Sequence, residues 1–93
     1  MRLAAGAPTR WTVLLRDGSK LVVWADGYVL ADEHYVFSSL FDFDEEDEMP
    51  DDDLVVAVTP SNPRRLMLAI ARIPRLAVLL EGGDTDWPAI ESR

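Results

Sequence analysis

The sequence predicts a mainly β fold, a small antiparallel barrel or two-layer sandwich of about six short strands. Runs rich in β-branched and aromatic residues recur at intervals of about eight to twelve residues, and turn-forming residues separate them. The chain has 93 residues, the size of one domain, and 48% of them are hydrophobic, which is enough for one core. We therefore treat residues 1–93 as a single domain.

The first two runs, residues 11–16 and 20–25, predict a β-hairpin. They flank Asp17-Gly18-Ser19, a turn tripeptide whose glycine can adopt a positive φ. A two-residue loop would mix polar and apolar residues on both faces, whereas a three-residue loop gathers the apolar side chains on one face. These side chains are Trp11, Val13, Leu15, Leu21, Val23 and Ala25. The three-residue loop is therefore favoured, and it places Trp11 and Trp24 on opposite faces.

Two further strands are predicted before the middle of the chain. Residues 28–31 form a short third strand, and Asp32-Glu33 predicts a turn before a fourth strand over residues 34–41. Tyr35, Phe37 and Phe41 share one parity along the fourth strand. Because alternate side chains of a strand lie on the same face, we expect this aromatic face to point into the core.

The second half leaves one element open. Residues 54–59 are a β-branched run stopped by Pro60, and we expect a strand buried on both faces. Residues 63–72 fit two structures: a helix capped by Asn62 with Pro63 at its first position, or a strand paired back onto residues 54–59. The helix would give the alternative α+β fold, with one helix packed on an antiparallel sheet.

Residues 76–80 predict a last strand, closed by Gly82-Gly83, and residues 82–93 form a polar C-terminal tail. The run 76–80 carries no charge to discourage pairing with a neighbour, so we expect the chain to form a homo-oligomer. Trp87 in the tail either folds back onto the core, which we expect, or is displayed to a partner as an anchor.

The negative charge is concentrated in one segment. Nine of the twelve residues from Asp42 to Asp53 are acidic and carry a charge of −9. Since the net charge of the chain is −8, all other residues together carry +1. Such a block repels itself, and it predicts a flexible, solvated loop over residues 42–53. With Trp87 it supplies the candidate partner-binding residues. These are Asp44, Glu45, Glu46, Asp47, Glu48, Asp51, Asp52, Asp53 and Trp87.

Catalysis is not indicated. The chain has one histidine, His34, and no cysteine, and Ser38 lies four residues further along the same predicted strand, about 13 Å away. Carboxylates in a solvated loop share similar surroundings, which does not separate an acid from a base. We predict no catalytic residue and no cofactor.

We therefore expect a small non-enzymatic protein-interaction module that binds through a sheet edge or through its acidic loop to a partner with a basic face. The alternative is a divalent-ion-binding regulatory domain that uses residues 42–53, although Asp47 stands where a calcium loop needs glycine. The arginines of the second half should neutralise the chain's own acidic loop rather than bind nucleic acid. These are Arg64, Arg65, Arg72 and Arg75.

The same composition bears on location. A net charge of −8 disfavours nucleic acid as a partner, and no apolar run reaches the roughly 18 residues of a membrane helix. The lack of cysteine fits a reducing compartment, so we expect a cytoplasmic protein that binds no membrane.

Overall fold

The structure is a computed structural model that describes residues 1–58, 62–81 and 87–92. Its strands are β1 (Arg2–Leu3), β2 (Thr9–Leu14), β3 (Lys20–Ala25), β4 (Gly27–Ala31), β5 (His34–Asp42), β6 (Val55–Val58), β7 (Arg65–Pro74), β8 (Leu80–Glu81), β9 (Trp87–Pro88) and β10 (Ile90–Ser92). Two short 3₁₀ turns span Asp52–Leu54 and Arg75–Ala77. Within these ranges no helix is long and apolar enough to cross a membrane.

The strands form a two-layer sandwich and not a closed barrel. The larger sheet has the order β1-β5-β7-β6, and β4 pairs with the same edge of β5 as β1 does. The smaller sheet has the order β10-β2-β3, and β8 pairs with β9. All of these pairings are antiparallel. The prediction of a mainly β, antiparallel fold is confirmed.

The hairpin of β2 and β3 forms where the sequence predicted it and closes over three residues, but the loop lies one position earlier than Asp17-Gly18-Ser19. The Leu15 N–H donates to the Ser19 carbonyl at 2.8 Å and the Gly18 N–H to the Leu15 carbonyl at 3.0 Å, so that Arg16, Asp17 and Gly18 form the loop. Leu15 also pairs with Val78 from a distant part of the chain. The register therefore moves by two residues, which leaves every side chain on its predicted face. Trp11 and Trp24 lie on opposite faces, as expected, and Trp24 is 56% exposed.

Residues 65–74 form strand β7, so the α+β alternative with a helix over residues 63–72 is wrong. The Asn62 side-chain oxygen accepts the N–H of Arg64 at 3.0 Å, and it thereby caps the turn into β7 rather than a helix. β7 pairs with β5 on one edge and with β6 on the other. The apolar run is continuous in the sequence although β7 is not buried on both faces, since Leu66 and Leu68 are buried whereas Ile70 is 46% exposed.

Three other expectations need correction. The strand β6 forms, but it is an outer strand and Val56 is 37% exposed, so it is not buried on both faces. The predicted strand over residues 76–80 is mostly wrong, because it begins within a 3₁₀ turn and only Leu80 belongs to β8. In the predicted tail, residues 87–92 contribute β9 and β10, whereas Gly82-Gly83 lie outside the described residues.

The core lies between the two sheets. Its main cluster packs Val13, Val23 and Ala25 of the smaller sheet against the larger sheet and Val78; the larger sheet contributes Tyr35, Phe37 and Ile73. A second cluster contains Phe43, Leu66 and Leu68, with Phe41 and Val55 packed against it. The predicted inward face of β5 is therefore confirmed.

Asp26 forms the corner at which the chain leaves the smaller sheet for the larger one. Its backbone N–H donates to the Ser38 carbonyl at 2.9 Å and to the buried Ser39 hydroxyl at 3.2 Å. Its carboxylate accepts the N–H of Leu40 at 2.8 Å. These bonds connect the corner that follows β3 to β5 of the larger sheet. β3 itself lies in the smaller sheet, where it pairs with β2.

The turn between β4 and β5 is backbone-strained. Asp32 and Glu33 have φ values of 50° and 62°, and Ala31 pairs with His34, as in a two-residue turn that favours glycine. We expect Glu33→Gly to raise the free energy of unfolding by about 0.5–1 kcal/mol relative to Glu33→Gln. Both variants remove the surface ion pair with Arg75, so urea unfolding of the two isolates the backbone effect. Equal stabilities would contradict the strain.

Candidate protein-binding edge

β3 is an outer strand of the smaller sheet, and no described strand pairs with its second edge. In an antiparallel hairpin, hydrogen-bonded and non-hydrogen-bonded residue pairs alternate. Because Leu15 and Ser19 are hydrogen-bonded, the odd-numbered residues of β3 form backbone hydrogen bonds with β2. The N–H and C=O groups of Lys20, Val22 and Trp24 consequently point outward. They make no hydrogen bond to any described residue.

The side chains along this edge are apolar and accessible. Val22 is 47% exposed and Trp24 56%, both on the face turned away from the core. Leu21, on the opposite face, is 39% exposed. Lys20 is the one charged residue in the strand. Unpaired backbone groups beside exposed apolar side chains form a template for another strand.

The other outer strands carry features that discourage such pairing. β6 is bulged at Val56 and follows the acidic residues 51–53, and β10 has three residues, one of which is Glu91. β4 runs between Asp26 and Asp32. β3 has six residues and no bulge, proline or acid. Natural sheets protect their edges by bulges, short strands and charges, and β3 has only Lys20 at its start.

The acidic loop is partly bound to the rest of the domain. The Arg65 guanidinium donates to both oxygens of Asp42, at 2.7 and 3.3 Å. Arg2 pairs with Asp44 at 3.1 Å, and the Asp47 carboxylate accepts the N–H of Asp44 at 2.8 Å. Asp42, Asp44 and Asp47, three of the nine acids of the segment, therefore bind donors of the same chain.

Three of the four arginines expected to neutralise the acidic loop contact this segment, but only Arg65 forms an ion pair with one of its carboxylates. Besides Arg65, Arg64 donates to the Asp44 carbonyl at 2.9 Å and Arg72 to the Asp53 carbonyl at 2.7 Å. Arg75 instead pairs with Glu33, at 2.9 Å.

Six carboxylates of the loop are exposed and form no ion pair with a described residue: Glu45, Glu46, Glu48, Asp51, Asp52 and Asp53. In residues 1–58, 62–81 and 87–92, no three His, Asp or Glu side chains converge as a cation site. The loop therefore presents charge without a preassembled ligand set.

Replacing Asp51, Asp52 and Asp53 by asparagine is expected to change the free energy of unfolding by less than about 0.5 kcal/mol. The side chains are exposed, and the Arg72 bond to this segment uses the backbone carbonyl of Asp53. Thermal unfolding at neutral pH checks this. A large fall in Tm would mean that these carboxylates are structural.

Asp42 should behave differently. The hydrogen bond from Arg65 holds the pKa of Asp42 below its ordinary value of 3.8. A carboxylate whose pKa is lowered on folding stabilises the fold above its unfolded pKa, and this contribution is lost as the pH falls through the folded pKa. We expect Asp42→Asn to lower Tm at pH 7, with a gap from the wild type that closes below pH 3.8. A gap independent of pH would contradict the role of the ion pair.

Trp87 does not cap the core, and that expectation is wrong. Its side chain is 62% exposed on β9, opposite Glu81, whereas the nearby Ala89 is 2% exposed and fills the interior position. The display of Trp87 to a partner stays a prediction.

His34 borders a groove of about 320 Å³ on the outer face of the larger sheet. The groove is lined by Val29, Ala31, Asp32, His34, Val36, Val56 and Arg72. Nδ1 of His34 bonds to the Asp32 carbonyl at 2.7 Å, and since a carbonyl only accepts, Nδ1 carries the proton. This is the one hydrogen bond of the ring to a described residue.

The sequence indicated a sheet edge without identifying the strand. The signal was present in residues 20–25, which lack any internal charge after Lys20, but the outer position of β3 depends on the whole topology. Comparison of the chain with protein-family models, curated proteins and solved structures gave no match in any of the three.

Proposed function

We propose that this chain is a small non-enzymatic protein-interaction module that binds another polypeptide strand at the outer edge of β3. The observation that supports the proposal is the set of outward N–H and C=O groups of Lys20, Val22 and Trp24, beside exposed apolar side chains. Strand addition obtains affinity from main-chain hydrogen bonds and selectivity from alternate side chains. β3 offers both in one continuous strand.

The acidic loop supports a secondary role. Its six exposed carboxylates can attract a partner with a basic face over a distance set by the Debye length, about 10 Å at 0.1 M salt. Asp42, Asp44 and Asp47 are already bound within the chain. The loop therefore favours approach, whereas the edge provides the contact. The divalent-ion alternative has no supporting contact in the described loop.

The test compares two substitutions at the centre of the edge. Val22→Pro removes the outward N–H, and proline is tolerated on an outer strand at such a position. Val22→Thr keeps the N–H and the β-branched shape, and so serves as the matched control. Each protein is used as bait in a lysate of the source cells, with quantitative mass spectrometry of what it retains.

We expect Val22→Pro to lose at least about tenfold of a partner that the wild type and Val22→Thr retain, which corresponds to about 1.4 kcal/mol. Similar Tm values for the two variants exclude unfolding as the cause. Equal capture by all three proteins of everything retained, the untagged chain itself included, would contradict the proposal. The acidic loop would be favoured instead if Val22→Pro still captured the partner, while capture was lost at about 1 M salt or in the variant with asparagine at positions 51, 52 and 53.

A further inference from the structure

We infer that the strand added to β3 is the β3 of a second copy, which forms a two-fold dimer with a continuous sheet of six strands, three from each smaller sheet. This inference rests on the proposed function and names its partner. It follows from the register that the strand permits, the side chains that this register brings together, and the charges at the other edges.

The register is determined by the outward backbone groups. In an antiparallel pair, the residues that exchange hydrogen bonds lie directly opposite each other. Lys20, Val22 and Trp24 are the residues of β3 that point outward. A two-fold axis at Val22 places Val22 opposite the partner's Val22 and Lys20 opposite the partner's Trp24. This register uses the N–H and C=O groups of all three residues, whereas a shift by two residues uses those of two.

The side chains are complementary in the same register. Each Lys20 ammonium lies across from a Trp24 indole of the other copy, a cation–π pair formed twice. The two Val22 side chains are in direct contact across the axis. On the other face, Leu21 comes opposite the partner's Val23, which would cover a side chain that is 39% exposed in one copy. No like charges oppose each other along the strand.

The neighbouring edge does not allow an equivalent dimer. For β4, a two-fold axis at Val29 engages only Tyr28 and Leu30, and it brings Asp32 opposite the partner's Asp26, where like charges are destabilising. The acidic loops of two copies also repel each other, so raised salt should strengthen the dimer. Binding of the loop to a basic partner has the opposite salt dependence.

Because the chain contains no cysteine, a single introduced cysteine can be spin-labelled without background. We would label Val22→Cys at the proposed axis and, as a control, Glu91→Cys on the far edge of the smaller sheet. In the dimer the two Val22 Cα atoms are about 5.5 Å apart. The two Glu91 sites are separated by five strand spacings, about 24 Å.

The expected result is a dimer mass by light scattering at high protein concentration, spectral broadening for the Val22 label and none for the Glu91 label. Val22→Pro should be monomeric under the same conditions, and Val22→Thr dimeric. A dimer whose Val22 labels lie more than about 20 Å apart would overturn the inference, since that separation needs at least four strand spacings.

A monomer at all concentrations would also overturn it. If Val22→Pro still loses a captured partner in that case, the edge binds a different protein and the proposed function stands. If capture is unchanged as well, both fail. The two experiments therefore separate the failure of the dimer from the failure of the edge.

Discussion

Replacement of Phe37 by alanine is expected to lower the free energy of unfolding by about 3–5 kcal/mol, which is a large fraction of the roughly 5–14 kcal/mol typical of a domain of this size. Phe37 is fully buried between the sheets, and its ring packs against those of Trp11 and Tyr28, with centroids 6.0 and 5.2 Å away. Alanine would leave a cavity that neighbouring strands, fixed on both sides of β5, cannot fill. Urea unfolding followed by tryptophan fluorescence measures the loss.

Trp87→Ala is the control for this prediction. Its side chain is 62% exposed, so we expect a change below about 1 kcal/mol despite the larger side chain removed. A loss comparable to that of Phe37→Ala would mean that Trp87 packs on the core after all.

Replacement of Asp26 by alanine has the second largest expected effect, a loss of about 1.5–3 kcal/mol. The substitution removes the carboxylate that accepts the N–H of Leu40 at 2.8 Å, and it leaves that half-buried donor without its partner. Because Asp26 also sets the corner from which β3 runs into the smaller sheet, the same variant should weaken binding at the β3 edge.

Asp26→Asn is the matched variant, since its amide oxygen can still accept the bond. We expect it to retain more than half of the stability that alanine loses, as judged by urea unfolding. If asparagine and alanine are equally destabilising, the hydrogen bond to Leu40 is not what holds the corner.

The sequence predicted the strands in which apolar and polar residues alternate clearly. Its predictions failed where contacts between distant parts of the chain determine the structure. The faces of β2 and β3 and the three-residue loop follow from alternating apolar residues, but the register does not: Leu15, expected opposite Leu21, pairs with Val78, which is 63 positions away in the chain. Residues 63–72 could not be assigned because their apolar run is continuous in the sequence, and only the pairing with β5 and β6 makes them a strand. The strand over residues 76–80 was expected from composition alone, and a 3₁₀ turn occupies its start.

The same limit of the sequence applies to the acidic loop and to the candidate binding edge of β3. The acidic segment is evident in the sequence, yet which carboxylates are bound depends on pairs such as Asp42 with Arg65 from neighbouring strands. That β3 has an open edge depends on Asp26, where the chain leaves the smaller sheet and passes to β4, which pairs with β5. A residue's position at the edge of a sheet is a property of topology, which local patterning does not encode.

Amide hydrogen exchange at Val22 and Trp24 tests the central claim, strand addition at β3, most directly. In dilute, uncomplexed protein these outward amides should exchange rapidly, whereas those of Leu21 and Val23, bonded to β2, are protected. In the dimer, or in a complex with a captured partner, the account predicts that exchange at Val22 and Trp24 slows by at least about 100-fold, or about 2.7 kcal/mol. Rapid exchange at both amides in every complex that the protein forms would contradict it.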